Sequence, residues 1–284
     1  MTDTVIPSAR PASSVNSTAQ TAGARDTGPR IAPVILRGLL LAGCLLMAAG
    51  CRERARSEVL DCTLATADGL QLAAQCFQPL QQRPPGLILI HRQGATRAGW
   101  EPLARAAQQA GYLALSFDLR GHGESQRQRD GNLDHRTFTD VQWQDVLLDL
   151  RAAKERVLAA GADPDNLFVA GEALGASFAL QFAVEDPEIQ GVVMLSPGLD
   201  YQGIDTVALL QAFTERPVLL VWAGSDAYAA TAASTLKRAA SGHVEVHSYP
   251  GAAHGTNIFA LSPHATGQIL VWLGQMRLEP PAGP

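Results

Sequence analysis

Several things are missing from these 284 residues, and each absence removes a class of function. No stripe of Lys and Arg interleaved with aromatics occurs, so the electrostatic footprint of a nucleic-acid binder is absent. The seven His and the carboxylates fall nowhere at metal-ligand spacing. No Gly-rich phosphate loop is present, because Gly121-His122-Gly123 is too short. Neither a metal nor a cofactor is therefore expected. No internal repeat is found. The run of small or apolar residues from Gly38 to Gly50 is thirteen long, short of the roughly 18–20 that a membrane span requires. Extending it backward would bury Arg37 at mid-bilayer. Cysteine is scarce, at four residues.

What is present begins with a leader. Residues 1–30 are rich in Ser, Thr, Ala, Pro and Gly without an apolar period, a composition that cannot bury enough surface to fold. Arg37, the short apolar core and the small-residue exit before Cys51-Arg-Glu-Arg then read as a secretory signal, with a retained anchor as the alternative. The expected organisation is a leader and signal over 1–50 and one domain over 51–284. Removing residues 1–50 takes away four Arg and two Asp and moves the net charge from −5 to about −7. The remaining chain is long enough for one domain with a substantial core.

The other two cysteines, Cys62 and Cys76, flank Asp68-Gly69, a strong hairpin signal. A three-residue loop would set them directly opposite, a two-residue loop one position off. In an oxidising compartment such a pair closes to a disulfide; in its absence they are two small buried thiols.

Beyond the hairpin, apolar runs at Leu87–Ile90, Tyr112–Asp118, Asn166–Ala170, Gly191–Leu195, Pro217–Trp222 and Val244–Tyr249 alternate with helical patterns. One helix is expected from about Phe138 to Ala160, with Val141, Val146, Leu147, Leu150 and Val157 near helical spacing. Continuous apolar strands are those covered on both faces. The alternation predicts an α/β fold, a mostly parallel sheet with an N-terminal antiparallel hairpin and its sites at the carboxyl ends of the strands. No long insertion separates the strands at 191–195 and 217–222, so no large lid is expected. Trp100, Trp143, Trp222 and Trp272 are assigned to core or pocket wall.

Gly171-Glu-Ala-Leu-Gly175 sits between a strand and a helix, the layout of a nucleophile elbow. Together with Asp118-Leu-Arg-Gly-His-Gly-Glu-Ser125, Leu195-Ser-Pro-Gly-Leu-Asp-Tyr201, Gly224-Ser-Asp226 and Tyr249-Pro-Gly-Ala-Ala-His-Gly255, it resembles the α/β-hydrolase fold. The likeness is to lidless esterases or dienelactone-hydrolase-like bacterial lipoproteins, and it covers nearly all of the chain after the signal. The resemblance implies His254 as base and Asp226 as the acid that orients it, with Asp200 as runner-up. It implies the Leu174 N–H as one oxyanion donor and the Arg92 or Gln93 N–H as the other. His91 would shape that loop, while Asp118, Arg120 and His122 would brace loops. It also implies lipidation at Cys51, preferred to Cys44, and hence export to the cell envelope on a membrane anchor.

The departure from the family pattern is Ala173, where the nucleophilic Ser should stand. A methyl group has neither a lone pair to attack with nor a proton to give. Loss of such a serine costs roughly 10⁶ in kcat, about 8 kcal/mol. Ser177, one helical turn on, and Glu172, beside the elbow, are poor substitutes by position. Three readings stand: a nucleophile-less hydrolase that keeps its cleft for a small apolar or ester-like ligand, an enzyme in which His254 and Asp226 activate water, and an active esterase family in which this Ser was lost. In the first, Asp226 and His254 could also persist only as a pair that stabilises two loops.

Overall fold

Both β3 (Pro85–Ile90) and β4 (Leu113–Phe117) are buried at every position, as the unbroken apolar runs require of strands with two covered faces. Side chains alternate between the faces: Leu87 and Leu89 enter one core, Ile88 and Ile90 the other. The computed structural model describes residues 57–129 and 131–278. The leader, the signal, Cys44 and Cys51 lie outside the described residues.

β1 (Glu58–Ala65) and β2 (Gln71–Gln78) make the N-terminal hairpin. After β3 come α1 (Glu101–Gln109), β4, α2 (Asp140–Gln144) and α3 (Val146–Ala159). β5 (Asp163–Glu172) leads into α4 (Leu174–Glu185), and β6 (Ile189–Leu195) is followed by the short α5 (Thr206–Ala212). The chain continues through β7 (Val218–Ala223), α6 (Ala227–Ala239), β8 (Val244–Tyr249), α7 (Ile258–Leu261) and α8 (His264–Gln275). The eight strands run in the order β1-β2-β4-β3-β5-β6-β7-β8. Only the β1–β2 and β2–β4 pairings are antiparallel.

One face is covered by α1 and α8, with Leu103, Ile269 and Trp272 against Leu89, Phe168 and Val193. α3, α4 and α6 cover the other, with Leu150, Phe178 and Leu236 against Ile88, Val169 and Leu220. Each fully buried aliphatic or Phe side chain contributes about 1.5–3 kcal/mol.

Two expectations are corrected. The single helix over 138–160 is two: a Thr139/Gln142 capping box opens α2, and a tight turn at Asp145, whose N–H bonds the Gln142 carbonyl, ends it. Val141, counted in the apolar period, is exposed. The hairpin register also differs. Ala65 pairs with Gln71, so Cys62 faces Ala74 and Cys76 faces Leu60. The loop is five residues, closed by Thr66, which exchanges backbone bonds with Leu70 and Gly69 and accepts the Leu70 N–H on its hydroxyl. The sulfurs are thus diagonal neighbours, and the expected bridge is not closed: both cysteines are free thiols, with Sγ atoms 3.1 Å apart.

Between β6 and β7 lie α5 and a two-rung ribbon, Asp200–Tyr201 with Ile204–Asp205. There is no lid domain in that interval.

Candidate active site

Ala173 joins β5 to α4 at φ 48°, ψ −114°, a region that costs a residue with a Cβ about 1–3 kcal/mol. The surroundings hold it there. Its N–H donates to the Leu195 carbonyl at 2.9 Å. A Cβ on Gly171 would stand 2.1 Å from the Gly175 carbonyl oxygen, and one on Gly175 2.5 Å from that of Ile90. Both glycines are required by close backbone approach. The pedestal is complete, and Ala173 is itself buried.

His254 follows β8, and its Nδ1 lies 2.6 Å from Asp226 Oδ2. Asp226 is also the N-cap of α6, where Oδ1 accepts the Ala229 N–H at 3.2 Å. One carboxylate oxygen thus anchors a helix and the other accepts from the imidazole Nδ1, leaving Nε2 as the ring nitrogen that Asp226 does not hold. The imidazole side chain is 38% exposed. Asp200 lies on the exposed ribbon, paired in register with Asp205 rather than with His254.

The loop carrying His254 is pinned to the elbow. Gly255 N–H donates to Ser196 Oγ at 2.9 Å, and Thr256 N–H to Glu172 Oε2 at 2.7 Å. A Cβ on Gly255 would stand 1.9 Å from that same carboxylate oxygen and would have to displace it, at a φ of 58° that already favours glycine. Glu172 Oε1 accepts the Arg92 N–H at 3.3 Å. This corrects one expectation: the Arg92 N–H already donates to Glu172 and is not free to act as an oxyanion donor. Gln93 N–H has no acceptor among the described residues. Leu174 opens α4, where the first N–H groups have no intrahelical partner.

Comparison with known proteins agrees with this fold. The family model described as serine aminopeptidase, S33 matches residues 83–216. A thermostable monoacylglycerol lipase from a Bacillus species is 28% identical over 143 residues, 50% of this chain and 52% of that protein; the chain spans about half the length of that curated relative. Among solved structures, an esterase from Pyrococcus furiosus superposes with a TM-score of 0.63 at 16% identity, covering 78% of this chain and 92% of its own. A putative dienelactone hydrolase from Klebsiella pneumoniae gives 0.60 at 20%, covering 77% and 99%. A soluble variant of monoglyceride lipase from Saccharomyces cerevisiae gives 0.62 at 16%, covering 80% and 97%. The chain has the α/β-hydrolase fold.

In this α/β-hydrolase fold the remaining motif residues brace loops. Asp118 accepts the backbone N–H groups of Arg97 and Glu124 and pairs with the Arg97 guanidinium. Arg120 bonds the fully buried Asp149 and reaches Asp68 in the hairpin turn. His91 donates from Nδ1 to the Arg92 carbonyl at 2.7 Å and accepts the Leu119 N–H on Nε2 at 2.9 Å. Complete burial pulls its pKa down to about 4, so it fixes the oxyanion loop as a neutral ring. His122 stands edge-on to His91 at 4.9 Å and stacks on His135 at 3.7 Å. Ser177 is buried against Thr206, Oγ to Oγ1 at 2.9 Å, and faces no cleft.

Two features were not found from the sequence. Glu172 ties two loops to the elbow, although its partners lie 80 and 84 residues away. Tyr201 and Tyr228 form an aromatic pair with centroids 6.2 Å apart. Burial, Tyr228 and the Asp226 charge push the Tyr201 hydroxyl up to about 12, so it remains a neutral donor beside the acid.

Proposed function

We propose that this is a nucleophile-less member of the hydrolase fold, exported and lipid-anchored through Cys51, which uses its cleft to bind a small apolar or ester-like ligand. The observation that carries the reading is a strained elbow with Gly171, Gly175 and the His254–Asp226 pair in place, and a methyl group at its apex. The named activities of the similar proteins, a monoacylglycerol lipase and dienelactone and ester hydrolases, support an ester-like guest. A fluorophosphonate probe should leave the protein unlabelled, with no burst on an activated ester. Ala173→Ser should gain both. Labelling of the unaltered chain would overturn the proposal. For the anchor, replacing Cys51 by Ser should abolish lipid incorporation in a bacterial host.

A second reading is supported by the imidazole itself. Its Nδ1 is held by Asp226 and its side chain is partly exposed to solvent, a geometry suited to taking a proton from water. The groups left after losing one triad member retain roughly 10³–10⁴ over water. In that case His254→Ala abolishes whatever turnover the chain has; unchanged turnover would refute it.

A further inference from the structure

We infer that Cys62 and Cys76 form a redox-active dithiol, in which Cys62 attacks a disulfide oxidant and Cys76 resolves the adduct to an intramolecular cystine. The geometry is asymmetric in the way such a site requires. Both side chains lie on the face of the β1–β2 hairpin that packs beneath α3, with sulfurs 3.1 Å apart. Cys62 is half-buried and reachable from solvent; Cys76 is fully buried in the core, where a bulky oxidant cannot meet it first. The two sulfurs share one hydrogen bond, in which either can donate; with Cys62 ionised it is the Cys76 thiol that donates. That bond, assisted by the Arg156 guanidinium and opposed by burial and Asp61, draws Cys62 down to about 7. The same bond and burial push Cys76 far up. A thiolate is the nucleophile of exchange, so the order of events follows.

The Cys62 thiolate forms a bond to one sulfur of the oxidant and expels the other as thiolate. Cys76 gives up its proton to solvent and attacks the Cys62 sulfur of the mixed disulfide. The second oxidant thiolate then leaves. Two protein thiols are oxidised by two electrons and one oxidant disulfide is reduced to two thiols. The pair is diagonal in register, with Cys62 opposite Ala74 and Cys76 opposite Leu60, and the two sulfurs are in contact across the hairpin. The pair sits at one end of the sheet order, on strands that carry no elbow residue, so the inference does not rest on the reading of the cleft.

The test uses the full chain, reduced and then incubated with oxidised glutathione. Peptide mapping should recover Cys62 linked to Cys76, reversed by dithiothreitol. Cys76→Ser should stop at glutathione on Cys62, and Cys62→Ser should leave Cys76 without an adduct. At pH 7, iodoacetamide should alkylate Cys62 about tenfold faster in the unaltered chain than in Cys76→Ala. Circular dichroism would confirm that each variant is folded. Recovery of both thiols unlinked from the unaltered chain, glutathione on Cys76 in Cys62→Ser, or equal alkylation rates would each overturn the inference.

Discussion

At residue 173 the backbone holds φ 48° with only a methyl group attached. Where a nucleophile is needed, such strain is part of the mechanism; with Ala, nothing in the side chain requires it. Ala173→Gly removes the Cβ clash at a position glycine adopts freely. It should raise unfolding stability by about 1 kcal/mol, read as a shift in the urea midpoint at constant slope. A loss of stability would mean that the methyl contacts outweigh the strain. Residues of this kind were legible: the spacing Gly171, Ala173, Gly175 and the order elbow, Asp226, His254 are local patterns in one dimension. Glu172 was not, because its work is done on N–H groups contributed by two distant loops. Nothing adjacent to it in sequence announces either partner. For the same reason Arg92 and Gln93 could not be separated until the direction of one amide was seen.

Between elements, the stack of His91, His122 and His135 beside Trp143 couples the loop after β3 to the loop after β4. His91 is held at about 4 and His122 at about 3, in both cases chiefly by burial. An unfolded His titrates near 6.5. Between those values the unfolded chain binds protons that the folded chain refuses, so the stability is complete above about pH 6.5 and is lost as pH falls. Each ring contributes about 1.4 kcal/mol per pH unit. His122 Nε2 is buried without a partner among the described residues, and Nδ1 bonds the Arg120 carbonyl at 3.0 Å, so His122→Phe should cost only that one bond, roughly 1 kcal/mol, at pH 7. It should also reduce the acid slope by one proton between pH 6 and 4.5 in denaturant titrations. An unchanged slope would place the titrating group elsewhere. Element types were legible from apolar runs, whereas the break at Asp145 was not. It depends on a capping box and a turn that leave the apolar period almost unaltered, apart from Val141, which faces water.

Over the whole molecule, a mostly parallel sheet with an antiparallel hairpin followed from alternation of strand and helix, while strand order and hairpin register did not. A register is set by the loop, and Thr66 made that loop longer than Asp-Gly alone suggests. The hairpin is joined to the body by Arg120, which links Asp68 in its turn to Asp149 on α3. Asp149 and Arg120 are both buried, Asp68 is on the rim. Asp149→Ala strands a buried guanidinium and should cost about 3–5 kcal/mol. Asp68→Ala should cost about 1 kcal/mol or less. Equal effects in chemical denaturation would contradict this division. The turn at 173, by contrast, is held by the Leu195 carbonyl, by Glu172 and by two glycines, none of which touches a hydroxyl. Alanine and serine codons can differ in one base. A single point mutation would therefore place an alcohol at a site whose frame does not depend on one, and the change could come and go without the rest of the protein registering it.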